Sequence, residues 1–253
     1  MPLILVTNDD GVTSEGIHAL ADAMRPLGEV LVVAPLQEAS AIGHALTLRR
    51  PLRIETISDG VYGVDGTPTD CVNLGCAILL KGQLPDLVVS GINKGLNIGD
   101  DVTYSGTVAG ALEAALLGYP AIAVSLEFTT GAWDFSAAAT AAAALSHALL
   151  VQPLPARSFL NINVPQGRVK GTRVTIQAKR NHITKVNKRT DPRGRPYFWI
   201  EEAEDDWQLD PRSDHQAVLE GCISVTALQP DLTDHAALAH LEQLTLLAAA
   251  GVR

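Results

Sequence analysis

Leu3-Ile4-Leu5-Val6-Thr7-Asn8-Asp9-Asp10-Gly11 is the stretch that decides the fold. Four apolar residues in a row, ending abruptly in polar ones, read as a short strand buried on both faces. Asp-Asp-Gly then turns the chain. Thr13 or Ser14 offers a hydroxyl cap for a helix that carries Ile17, Leu20, Ala21, Met24 and Leu27 at helical spacing. Gly28 closes that helix, and Glu29 to Ala34, with Val30-Leu31-Val32-Val33 inside, is a second buried strand. Strand, helix and strand make a βαβ unit with a right-handed crossover, the seed of a parallel sheet.

The alternation continues outward from this unit. Short strands are expected around Leu46 to Leu48, Arg53 to Ile57 and Val61 to Val64. Thr67, with Pro68 after it and Asp70 at the capping-box position, starts a helix that runs to about Leu80. Leu87-Val88-Val89-Ser90 is a strand, Gly91 to Ser105 a loop rich in Gly and Asn, and Thr107 to Leu117 a helix of small residues. Ala121 to Leu126 is a strand, Asp134 caps an Ala-rich helix to about Leu150, and Phe159 to Val164 is a further strand. From Arg180 to Trp207 the pattern turns basic and then aromatic around Asp191-Pro192-Arg193-Gly194, which reads as a hairpin with Tyr197-Phe198-Trp199-Ile200 on its second arm. Cys222 to Leu228 is a strand, and Asp234 caps a last amphipathic helix.

The expected architecture is a Rossmann-like α/β three-layer sandwich. A mostly parallel sheet lies between helices, with a protruding β-hairpin and a C-terminal helix used in oligomerisation. The expected units are a core over 1–180, an arm over 181–209, and a strand and helix over 210–253 that complete the core or exchange between subunits.

Composition narrows the function. A formal net charge of −9 opposes binding to a nucleic-acid polymer, which needs clustered positive charge to displace counterions. A small phosphorylated ligand is not opposed, because one ion and a few N–H groups hold a phosphate locally. Cys71, Cys76 and Cys222 have no zinc-site spacing and read as reduced thiols of a cytoplasmic protein. No apolar run is long enough to span a bilayer.

Ligands of open α/β sheets sit beyond the carboxyl ends of the strands. Asp9 and Asp10 follow the first strand, Ser40 follows the second, and Asn93 ends the strand that begins at Leu87. Adjacent carboxylates repel unless a cation lies beside them. Oxygen donors of these kinds favour Mg²⁺, Mn²⁺ or Ca²⁺ over zinc, and Mg²⁺ or Mn²⁺ is the expected cofactor. Ser105-Gly106-Thr107 opens a helix, whose free N–H groups form an anion site, and Asn97 can add a donor. His44 is a candidate general acid for a leaving alkoxide.

These segments resemble the SurE family, the survival-protein nucleotidases. The resemblance is carried by Asn8-Asp9-Asp10-Gly11, Ser40-Ala41-Ile42-Gly43-His44, Gly66-Thr67-Pro68-Thr69-Asp70-Cys71-Val72 and Ser90-Gly91-Ile92-Asn93. It also rests on the run from Asn97 to Val108 and on Asp191-Pro192-Arg193-Gly194. It implies a 5′- and 3′-nucleotidase with one divalent cation, some members also trimming short polyphosphate. Metal ligands would fall on Asp9, Asp10, Ser40 and Asn93, and phosphate contacts on Asn97, Ser105, Gly106 and Thr107. Members form dimers or tetramers that exchange C-terminal segments. The sequence departs from the family pattern at Ala39, His215 and Cys222.

The expected reaction is hydrolysis of a nucleoside monophosphate by water activated at the metal, with Asp9 accepting the proton. A covalent aspartyl-phosphate is the rival route. The alternative functions are a nucleotide sensor without turnover and an assembly protein that works through the hairpin.

Overall fold

The computed structural model describes residues 1–180, 184–202 and 207–243. Residues 181–183 and 203–206 of the expected arm, and 244–253 of the expected C-terminal unit, lie outside the described residues. The first unit forms as expected from β1 (Leu3–Thr7), α1 (Glu15–Met24) and β2 (Glu29–Pro35), with the two strands parallel. Next come β3 (Ile54–Ser58), β4 (Val61–Val64), α2 (Pro68–Leu74), β5 (Leu87–Lys94), α3 (Gly106–Leu116), β6 (Ala121–Leu126), α4 (Ser136–Val151) and β7 (Phe159–Val164). The chain continues through β8 (Gly171–Thr175), β9 (Thr184–Thr190), β10 (Pro196–Glu202), α5 (Asp214–Leu219), β11 (Cys222–Leu228) and α6 (His235–Gln243).

Among the described residues the main sheet has nine strands in the order β3-β4-β2-β1-β5-β6-β7-β11-β8. It is parallel except where β3 meets β4 and β7 meets β11. Strand β1 lies inside the sheet. The chain winds outward from it through β2, then returns to β1's other side at β5 and winds the opposite way. That reversal leaves a crevice at the carboxyl ends of β1 and β5.

Alternation along β1 explains the layers. Ile4 and Val6 pack with Ile17, Leu20 and Met24 of α1 and with Ala138 and Ala142 of α4. Leu5 points the other way, into Cys71 and Val72 of α2 and Val108, Ala111 and Ala114 of α3. Strands covered on both faces have to be apolar on both faces, hence the uninterrupted Val/Ile/Leu runs.

Some expectations change. Residues 46–48 form no strand, because Thr47 turns its N–H to Asp70 Oδ1 at 2.9 Å and its hydroxyl to Oδ2 at 2.6 Å. Asp70 also closes the expected capping box with Thr67, so one buried carboxylate starts α2 and anchors the loop between β2 and β3. After Leu74 the helix continues as a π-helical turn over Gly75–Leu79. Asp134 stands one residue before the cap position of α4 and accepts from Ser136 N–H at 2.9 Å. Strand β8 and helix α5 have no counterpart in the sequence reading. The expected caps by Ser14 and Asp234 are present.

The hairpin β9–β10 forms its own two-stranded sheet. Asp191 closes its turn by accepting from the N–H groups of Arg193 and Arg195, each at 2.8 Å. Phe198, Trp199 and Ile200 are exposed on it. Among the described residues no helix is long and apolar enough to cross a membrane.

Candidate active site

Backbone bonds draw three strand ends together. Asn8 shapes the turn after β1 by donating to Gly11 C=O at 3.0 Å and to the Ser14 hydroxyl at 2.7 Å. Ala39 N–H donates to Asp9 C=O at 2.8 Å, which fixes the segment carrying Ser40 beside the paired acids. Gly43 N–H donates to Tyr104 C=O at 2.9 Å, joining that segment to the approach to α3. The register between β5 and β6 slips by one residue between Ser90 and Asn93, a bulge that re-aims Asn93. Gly91 sits in it at φ +140°, where an added Cβ would stand 2.4 Å from Val124 C=O. Only glycine fits there.

The outcome is a cleft of about 700 Å³ lined by Asp9, Asp10, Ser40, Asn93, Asn97 and Ser105, among others. All four expected metal ligands and two of the four expected phosphate contacts thus share one space. Gly106 and Thr107 stand directly behind it. An added Cβ on Gly106 would lie 2.7 Å from Asp9 Cβ, so α3 begins as close to Asp9 as a backbone can. Thr107 is fully buried and spends its hydroxyl on Asp9 Oδ1. Its N–H also goes to the Asp9 carboxylate. Val108 N–H goes to the Ser105 hydroxyl at 3.0 Å. Of the first-turn amides, Gly106's is therefore the one left for an anion among the described residues. Thr107, one of the expected phosphate contacts, turns both its hydroxyl and its N–H to the first aspartate.

Burial raises the pKa of Asp9 above the usual carboxylate value, against the opposing bonds from Thr107. Burial, then the charge of Asp9, push Asp10 up to about 6, despite the N–H and charge of Lys94. Asp10 Oδ2 is buried with no hydrogen-bond partner. Two adjacent, desolvated carboxylates with an orphaned oxygen are expensive on their own and favourable beside a cation. Asn93 Nδ2 donates to Gly95 C=O at 2.9 Å, which leaves its amide oxygen for another partner. Ser40 donates to Glu38 Oε1 at 2.7 Å and keeps its lone pairs. These donors fit a hard divalent cation. Among the described residues no cluster of three or more His, Cys, Asp or Glu forms a metal site, so the fit depends on amide and hydroxyl oxygens.

His44 is placed differently from its expected role. It does not line the cleft. Its Nε2 lies 2.6 Å from Glu113 Oε2, and Asn73 Nδ2 donates to Glu113 Oε1 at 2.7 Å. These bonds hold the Glu113 carboxyl below its usual range, the His44 bond most. In this arrangement one ring nitrogen of His44, the candidate general acid, is paired with a carboxylate.

Two further groups support the cleft from behind. Asn97 is held by Asn161 and Asn163 of β7 and by Ser125 of β6. The turn over Gly99–Thr103 is held from α5 and the residues around it. Asp214 accepts from Gly99 N–H at 3.0 Å and Ala178 N–H at 2.9 Å, and Gln177 Nε2 donates to Gly99 C=O at 2.8 Å. Arg180 pairs with Asp101 and lies over the Trp207 ring, 4.7 Å from its centroid. His215 stacks on Trp207 with ring centroids 4.6 Å apart, an aromatic contact at a position where the sequence departs from the family pattern. A sequence signal for the first group was present: asparagines two apart in an otherwise apolar strand.

A family model described as survival protein SurE matches residues 4–184. A protein of Syntrophotalea carbinolica named 5′-nucleotidase SurE is 54% identical over 233 residues, covering 92% of this chain and 93% of its own. One of the same name from Geobacter sulfurreducens is 51% identical, covering 97% and 94%. The crystal structure of the SurE protein from Aquifex aeolicus superposes with a TM-score of 0.86 at 42% identity, covering 98% of this chain and 100% of that one.

Proposed function

The chain belongs to the SurE family, and from that premise we propose that it is a divalent-metal-dependent phosphomonoesterase acting on nucleoside 5′-monophosphates. The observation that supports this most is the single cleft holding Asp9, Asp10, Ser40 and Asn93 next to the start of α3. The oxygens of these four residues would hold Mg²⁺ or Mn²⁺. When bound, the cation supplies a Lewis acid that screens phosphoryl oxygens and acidifies water. Gly106 N–H, the Ser105 segment and the second amide hydrogen of Asn97 would hold the non-reacting oxygens in line. Asp9, fixed by Thr107, would accept the proton of the attacking water. We favour this direct route over an aspartyl-phosphate. In this reading the cradle contacts the phosphate end of the substrate, which would extend its action to 3′-monophosphates and to the ends of short polyphosphate.

Purified protein stripped with a chelator is expected to release no phosphate from AMP or GMP and to regain activity on adding Mn²⁺ or Mg²⁺. Nucleotide binding without release under any divalent metal would leave a sensor instead. The free thiols at Cys71, Cys76 and Cys222 fit a cytoplasmic location.

We further propose that the exposed apolar arm β10 is a contact in a homodimer or homotetramer. Replacing Phe198, Trp199 and Ile200 together with Ser should lower the mass seen by light scattering. An unchanged mass would refute the contact.

A further inference from the structure

Strand β7 reads Phe159-Leu160-Asn161-Ile162-Asn163-Val164 and is buried along its whole length. Residues two apart in a strand share a face, and a buried amide costs stability unless it is bonded. Both asparagines turn to one residue. Asn163 Oδ1 accepts from Asn97 N–H at 2.8 Å, and Asn163 Nδ2 donates to Asn97 C=O at 3.0 Å. Asn161 Nδ2 donates to the same carbonyl at 2.8 Å. Ser125, the β6 neighbour of Asn163 in register, takes one hydrogen of the Asn97 side chain at 2.7 Å. An amide nitrogen carries two hydrogens. The second stays with a side chain that lines the cleft.

The sheet itself does not need these amides, since Phe159, on the same face of β7, packs into the apolar layer there. Asn161 even carries a buried Oδ1 with no partner, a cost that an apolar residue would avoid. A partly satisfied polar network in a core is worse for stability than hydrocarbon. Its use is to hold a group in place.

We propose that Asn163 and Asn161 are positioning residues for phosphate hydrolysis: together they clamp the Asn97 backbone so that its remaining side-chain N–H meets the phosphate. This rests on the reading of Asn97 as a phosphate contact. Ser125 completes the clamp by fixing the rotation of the Asn97 amide.

The test uses the full chain with Mn²⁺, AMP as substrate and inorganic phosphate as competing inhibitor. Asn163→Ala is expected to lower kcat/KM about 100-fold, and Asn161→Ala, which removes one bond of three, about 10-fold. Both should weaken inhibition by inorganic phosphate. In an Asn97→Ala background the same substitutions should cost less than about 3-fold, because the group they position is gone. Full additive losses in that background would show that the asparagines serve the fold alone and overturn the proposal, as would unchanged kinetics in both single variants. Asn97→Ala alone with unaltered kcat/KM and phosphate inhibition would remove the reading of Asn97 itself, a failure visible before any double variant is made. If Asn163→Ala does not fold, the Asn161/Asn97 pair decides in the same way.

Discussion

Asp9→Asn is expected to release phosphate from AMP at least about 1000-fold more slowly than the parent, a loss of about 4 kcal/mol of transition-state stabilisation, while its metal-free form melts no lower. The two halves share one cause. Asp9 is 4% exposed and adjacent to a second acid whose own oxygen is unpartnered. Without a cation, burying two like charges side by side works against the fold. Removing one charge relieves that cost. Asparagine keeps the shape, and the Thr107 hydroxyl can turn to accept from the new amide. With a cation, the lost charge is a lost ligand and a lost proton acceptor. Phosphate release and Mn²⁺ titration by calorimetry check the first half, and the melting midpoint in chelator checks the second. Activity within tenfold of the parent would sink the assignment of Asp9.

Asp214→Ala is expected to destabilise the protein by about 3–5 kcal/mol, read from denaturant unfolding. Asp214 is fully buried, and its carboxylate accepts from three backbone N–H groups: Gly99 at 3.0 Å, Ala178 at 2.9 Å and His215 at 2.8 Å. Alanine leaves all three donors without their acceptor, and each costs more unpaired than the bond contributed. Asp214→Asn keeps one acceptor oxygen and should lose about half as much. The effect reaches the cleft as well. Gly99 starts the turn whose Asp101 C=O accepts from Ser105 N–H at 3.1 Å. Well below its midpoint, Asp214→Ala should therefore show kcat/KM reduced by about tenfold. A loss under 1 kcal/mol would mean that water reaches these amides.

Most of the core could be read in advance because its signals are local. Apolar runs such as Leu3 to Val6 and Leu87 to Val89 are buried on both faces, and Ser14, Thr67 and Asp234 act as caps where the hydroxyl or carboxylate suggests. What escaped depends on distant partners. Strand β8 is mostly exposed and borders the sheet, so it has no apolar pattern. Helix α5 has six residues, too few to show a period. Thr47 looks like a strand residue, but the Asp70 carboxylate, 23 positions on, takes its N–H. The site follows the same rule. That Asp9, Asp10, Ser40 and Asn93 share one cleft could be read because strand ends locate them. The role of Thr107 toward Asp9 and the bond from His44 to Glu113 could not, since each joins residues many positions apart.

The place of β11 in the sheet bears on how the chain is made. It lies between β7 and β8, antiparallel to the first and parallel to the second, although both precede it in the chain. As the polypeptide leaves the ribosome, the half of the sheet around β1 can close at once from neighbours already synthesised. The border of β7 must wait, its carbonyls and amides unpaired, until the whole hairpin has been made and a later segment slides in beside it. Such long-range insertion is slow, and an open border invites pairing with a foreign strand meanwhile. Strand β11 thus has to enter between two strands made before it, and until it does their facing borders are open to pairing with another newly made copy.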